Sequence, residues 1–118
     1  MVVETQLSDA EVDRIFQALA DATRRDIVRR VIGQEQNVSD LARRYDMSFA
    51  AVQKHVAVLE RSGLVAKRRA GREQLVRPLV DTIGRARELL DQLEALWRGR
   101  IDRMDAILAE DAREEERA

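Results

Sequence analysis

The sequence predicts a mainly α fold carrying one small β-hairpin and ending in a long helix, and three observations predict it. Between Met47 and Val65, MSFAAVQKHVAVLERSGLV reads as one capped helix with a definite start and stop. Directly after it, Leu64–Arg69 and Glu73–Arg77 are two short β-type runs around a glycine. From Leu79 to Glu110, apolar residues recur at spacings of three, four and seven.

The first stretch is the most fully specified. Ser48 is an N-cap residue, because its hydroxyl can accept from an orphaned first-turn N–H. Met47 and Val52 stand at the spacing of a hydrophobic staple. Ser62-Gly63-Leu64 closes the helix with a glycine at C′ and an apolar residue after it. Val52, Val56 and Leu59 form an apolar stripe, while Ala50, Gln53, Lys54, Ala57 and Arg61 lie on the opposite side at 100° per residue. Such a helix presses one face on a core and leaves a small, polar, acid-free face outward.

The preceding chain supplies the body. Ser8 and Glu11 form a capping box, with Leu7 and Val12 as staple, for a helix to Leu19 with the stripe Val12, Ile15, Phe16 and Leu19. Asp21 caps a second helix from Ala22 to Ile32, whose buried face is Ile27, Val28, Val31 and Ile32. Gln34 to Asn37 reads as a polar loop, and Ser39 as the cap of a short helix from Asp40 to Tyr45. A short helix joined by three or four residues to a capped helix with a basic outer side is the helix-turn-helix arrangement.

The segments that follow complete it. Ala70-Gly71-Arg72 links the two strands as a three-residue hairpin, and Pro78 stops the second. Lys67, Arg68, Arg69 and Arg72 crowd near its tip, so the hairpin is a basic wing. The stripe Ile83, Leu90, Leu93, Trp97, Ile101, Met104 and Leu108 is too long for so small a body to cover and calls for a partner helix. The resulting expectation is a single winged helix-turn-helix domain over 1–118, with helix-turn-helix at 39–63, wing at 64–78, dimerisation helix at 79–110 and a frayed charged tail at 111–118.

Composition agrees and excludes. A chain of 118 residues, 45% hydrophobic but 3% aromatic, builds one modest core of Leu, Val, Ile and Ala. The absence of cysteine excludes disulfides and thiolate metal sites. No apolar run reaches the ~18 residues of a membrane span and no signal-peptide pattern opens the sequence, so the expected location is the cytoplasm. The net charge of −1 hides an asymmetry: residues 21–77 carry 13 basic and 7 acidic side chains, and the flanks are acidic. A basic middle between acidic ends fits a polyanion-binding module, although solvated Arg and Glu produce the same count.

The combination LADATRRDIV (Leu19–Val28), VSDLARRYDMSFAAVQKHVAVLERSGLV (Val38–Val65) and GREQLV (Gly71–Val76) resembles the ArsR family of winged-helix transcriptional regulators. That resemblance covers roughly Glu11 to Ala109. It implies a homodimer, joined through the first and last helices, that binds an operator in double-stranded DNA and represses transcription. The family's founding members sense metals, and here the sequence departs from them. Val38-Ser39-Asp40-Leu41-Ala42 stands where their cysteine motif falls, and the last helix has no histidine. The expectation is therefore the cysteine-free branch, with no metal and no cofactor. No effector follows from the resemblance.

Candidate DNA-contacting residues are Ser48, Phe49, Gln53, Lys54, His55, Arg68, Arg69 and Arg72. Glutamine can pair bidentately with adenine, and lysine can reach guanine or phosphate. The competing reading of Ser48, Gln53 and Lys54 is a cap and two solvated residues. Phe49 is expected to pack on the body, with contact to a thymine methyl as the alternative. His55, the only histidine, is a candidate phosphate contact or else a packing residue. Arg68, Arg69 and Arg72 would meet phosphate or enter the minor groove, unless they only keep a strand edge soluble. Arg43 and Arg44 are further candidates for backbone contacts.

Leu90, Leu93, Trp97, Ile101, Met104 and Leu108 are the expected dimer interface, with Trp97 as its anchor in preference to a ligand-stacking residue. Enzyme readings fail for want of parts: there is no nucleophile–histidine–acid set and no glycine-rich phosphate loop. The rival from another class is a helical homodimeric interaction module, such as an antitoxin or adaptor, without specific DNA readout.

Overall fold

The structure, a computed structural model, describes residues 7–118. The order is α1 (Asp9–Leu19), α2 (Ala22–Gly33), β1 (Gln36–Asn37), α3 (Val38–Ala42), α4 (Phe49–Arg61), β2 (Val65–Ala70), β3 (Glu73–Pro78) and α5 (Val80–Arg117). It is a mainly helical winged helix-turn-helix with a small antiparallel sheet and a long C-terminal helix. Two compact units divide between Ala86 and Arg87. No helix among the described residues is long and apolar enough to cross a membrane.

Local chemistry sets the helix ends. Ser8 and Glu11 make the full capping box, at 3.1 Å and 2.9 Å. Asp21 accepts from the Arg24 N–H at 3.0 Å, and Ser48 from the Ala51 N–H at 3.1 Å. Beyond α4, Leu64 N–H bonds to Leu59 C=O and Gly63 N–H to Glu60 C=O, both at 3.1 Å. Those paired 6→1 and 5→2 bonds are the Schellman closure, and Gly63 adopts the φ of +80° it demands.

The short helix starts earlier than expected. Asn37, not Ser39, caps α3, accepting from the Asp40 N–H at 2.7 Å. Starting there lets both Val38 and Leu41 enter the core, and the helix ends at Ala42. Six residues, Arg43 to Ser48, therefore connect α3 to α4 instead of three or four.

The core of the first unit is aliphatic throughout. Ile15 and Ala18 of α1, Ile27, Val28 and Val31 of α2, Leu41 of α3, and Val52, Val56 and Leu59 of α4 close over Leu64, Val65 and Val76 of the wing root. Full burial of one such Val, Leu or Ile side chain contributes about 1.5–3 kcal/mol. Two expectations fail here. Ile32 is 54% exposed, because Ile27, Val28 and Val31 already fill the side of α2 that meets the core. On α1, Phe16 remains 36% exposed while the small Ala18 is fully buried.

The polar loop at Gln36–Asn37 forms a third strand, in the order β1-β3-β2, with Gln36 opposite Val76 and Asn37 opposite Leu75. β2 and β3 pair from Val65↔Pro78 to Ala70↔Glu73, leaving Gly71-Arg72 as a two-residue link instead of three. Gly71 has a φ of +65° and Arg72 does not have positive φ, the pattern of a type II′ turn that matches strand twist.

In the second unit α5 continues as helix to Arg117, so the expected frayed tail at 111–118 is helical over all but its last residue. Glu, Ala and Arg are strong helix formers, and the Arg113–Glu110 pair at 2.6 Å adds an i,i+3 contact.

Candidate nucleic-acid interface

α4 presents its outer face as a consequence of how tightly its inner face is fixed. Val52, Val56 and Leu59 are fully buried, so Gln53 and Lys54 must point away from the body. Phe49 is 46% exposed, which corrects the expectation that it packs on the core. It lies at the first residue of α4, before the stripe that enters the core begins.

A groove of about 450 Å3 joins this face to two other elements. Phe49 and Gln53 form its α4 wall, Ser39 and Asp40 of α3 with the following Arg43 a second wall, and Arg72, Glu73 and Gln74 its wing wall. One candidate from the wing, Arg72, is thus brought beside two from α4. From the sequence Ser39 is only a helix cap and Gln74 is left out, so neither stands among the candidates for the site. The hairpin register alone would have flagged Gln74, which sits opposite Arg69 near the tip.

The remaining candidates are placed differently. Ser48 uses its hydroxyl as a cap. Lys54 is exposed beside the groove. Arg68 and Arg69 are consecutive on β2 and so lie on opposite faces of the hairpin. Arg68 reaches back to Glu35 at 3.2 Å, and Arg69 Nε donates to the Gly71 carbonyl at 3.4 Å. Arg43 is held by Asp40 at 2.6 Å, which fixes the α3 rim of the groove.

His55 is only 22% exposed in its side chain and is held from below. Arg24 on α2 donates to the carbonyls of Ala18 at 2.7 Å and Gln17 at 2.9 Å, and its Nη1 lies 3.3 Å from His55 Nδ1. Arg25 caps the same end of α1 through the Leu19 carbonyl at 2.7 Å. The adjacent arginines of LADATRR thus close α1, and one of them also supports α4.

A second buttress acts on the turn between α3 and α4. Tyr45 donates to Asp26 Oδ2 at 2.6 Å, and Arg30 Nε donates to the same oxygen at 2.8 Å. Hydrogen bonds from Tyr45 and then Arg30 hold the Asp26 carboxyl below its usual range. Burial, followed by the bond to Asp26, pushes the Tyr45 phenol up to about 12. Among the described residues, no cluster of three or more His, Asp or Glu side chains is placed to hold a metal ion.

Comparison with known proteins agrees with this architecture. Residues 19–68 match the helix-turn-helix domain family. The chain is 40% identical over 85 residues to the HTH-type transcriptional regulator Rv2034 of Mycobacterium tuberculosis, covering 72% of this chain and 77% of that one. It is 33% identical to an ArsR-like transcriptional regulator from Rhodococcus sp. RHA1, with a TM-score of 0.75 over 83% of this chain and 92% of that one. The homodimeric winged helix-turn-helix DNA-binding domain of Mb0332 from Mycobacterium bovis, a possible ArsR-family regulator, is 27% identical, with a TM-score of 0.56 over 86% and 91% of the two chains. With its fold, its motifs and these relatives in agreement, the chain belongs to the ArsR family of winged helix-turn-helix transcriptional regulators.

Proposed function

We propose that this protein is a homodimeric repressor that binds an operator near its own promoter and has no catalytic activity. The observation that carries the reading is the groove shared by Phe49, Gln53 and Arg72, which sets the outer face of α4 and the wing tip side by side. An α-helix fits the major groove, and a wing beside it meets the sugar–phosphate backbone. Ser48, Phe49, Gln53, Lys54 and His55 form the α4 contribution, with Arg68, Arg69 and Arg72 that of the wing. Arg43 adds a cation at the rim.

The dimer is proposed to form through Leu90, Leu93, Trp97, Ile101, Met104 and Leu108. All six are exposed in the single chain. The homodimeric state of the Mycobacterium bovis relative supports the same assembly. Two copies of α4 would then meet half-sites about 34–36 Å apart, one turn of DNA, or a multiple of it.

Sequencing the genomic fragments that the protein retains, followed by filter binding to the region upstream of its own gene, tests the reading. Specific retention that falls with Lys54→Ala and Arg69→Ala is expected. Equal binding to all DNA, unaffected by either change, would sink operator recognition and leave the helical interaction module in its place.

A further inference from the structure

Phe49 is the one large apolar side chain that α4 leaves exposed, and nothing in the first unit's core competes for it. It stands one turn before Gln53, on the same side of the helix, and both line the groove that runs to Arg72. An exposed ring there is an apolar surface placed where a nucleic-acid base edge would arrive. Of the four bases, only thymine offers an apolar group in the major groove, its C5-methyl. Adenine offers the acceptor–donor pair at N7 and N6 that a glutamine amide matches with two hydrogen bonds.

We propose that Phe49 and Gln53 act as one specificity element, the ring covering a thymine methyl and the amide spanning an adenine beside it. Four residues of helix rise by ~6 Å, so the two side chains meet base edges close together within one half-site. This rests on the DNA-binding reading above and adds to it the two bases that each half-site must contain. Arg72, on the wing side of the groove, supplies the cation that holds this end of α4 against the backbone, whereas Arg43 is paired with Asp40.

The test uses the full-length protein and a retained genomic fragment, with each thymine of a half-site replaced in turn by deoxyuridine. Taking away one covered methyl weakens binding about 3–5-fold, the effect of exposing one buried methyl-sized group. The expected result is one thymine per half-site at which this loss appears for the wild type and vanishes for Phe49→Ala. Phe49→Leu, which keeps an apolar side chain, retains part of it. Replacing the neighbouring adenine by 7-deazaadenine should weaken the wild type and leave Gln53→Ala unchanged. Phe49 is half exposed and outside the core, so the alanine variant stays folded, which a thermal melt of each variant verifies before binding is compared. Specific binding that ignores every thymine methyl, or a methyl effect of equal size in Phe49→Ala, overturns this inference alone. Absence of specific binding to any fragment overturns the DNA-binding reading and this inference with it.

Discussion

Arg24 Nη1 lies 3.3 Å from His55 Nδ1, joining the second helix to the proposed recognition helix. A guanidinium only donates, so a hydrogen bond here makes Nδ1 the acceptor and puts the ring proton on Nε2, while the Asp21 carboxylate 3.9 Å from the same nitrogen favours the other tautomer. Arg24 also occupies the carbonyls of Gln17 and Ala18. Arg24→Ala is therefore expected to lower stability by about 1–3 kcal/mol, since partly buried carbonyls are left without a charged donor. It should also release His55 into a mixture of tautomers, read from the imidazole 15N shifts. Unchanged shifts would mean that Arg24 does not set the ring.

The Tyr45–Asp26 bond makes a pH-dependent prediction at both ends of the scale. Asp26 has a lowered folded value, so its contribution is present above its ordinary 3.8 and is lost as the pH falls through the folded value. Tyr45 has a raised one, so its contribution is present below 10.0 and is lost as the pH rises through about 12. Tyr45→Phe should cost roughly 1–2 kcal/mol near neutral pH, the order of one hydrogen bond to a partly exposed carboxylate. Urea midpoints measured across pH should then show weaker dependence on both limbs. An unchanged acid limb would place the Asp26 shift elsewhere.

Two glycines should respond to alanine with opposite signs. At Gly63 a new Cβ would stand 3.5 Å from Thr82 Oγ1, an ordinary separation, so the cost is the left-handed backbone alone, about 1–2 kcal/mol. Gly84 is inside α5 with nothing within 4 Å of a new Cβ. Gly84→Ala should therefore stabilise by about 0.5–1 kcal/mol. Thermal melts of the two single variants check both signs.

These responses also show why parts of the fold were legible in the sequence. Ser8, Asp21, Ser48 and Gly63 act within one turn of their own positions, so their chemistry is local and readable. β1 is two polar residues with no pattern of their own, and it is a strand only because β3 offers it an edge. Asn37 and Ser39 are both good caps, and the choice between them follows from Val38 entering the core. The same limit governs the site. Gln53 and Lys54 follow from periodicity, whereas the exposure of Phe49 and the support Arg24 gives to His55 depend on packing between distant segments.

Salt should separate the groups that meet the backbone from those that read bases. Removal of a side chain that neutralises one phosphate makes the slope of log affinity against log salt shallower by ~0.9. Arg72→Ala is expected to show that reduction, with similar weakening on specific and random DNA. Gln53→Ala should instead leave the slope intact and reduce the preference for the operator. Exchange of these two signatures would reverse the assigned roles.

Trp97 offers the sharpest test of assembly. Leu90, Leu93, Trp97, Ile101, Met104 and Leu108 fall within an arc of roughly 80° when α5 is projected at 100° per residue. Trp97 is 57% exposed in the single chain, with the Arg100 guanidinium 5.7 Å from its ring centroid. So large an exposed aromatic, centred in an apolar row, is the side chain whose burial an interface would gain most from. If the partner covers it fully, Trp97→Ala costs ~3–5 kcal/mol of dimer stability. At about 1.4 kcal/mol per tenfold, that weakens association by at least two orders of magnitude. Sedimentation at micromolar concentration should then find monomer, and operator affinity should collapse toward that of a single half-site while the first unit stays folded. A dimer that survives the substitution would remove Trp97 from the interface.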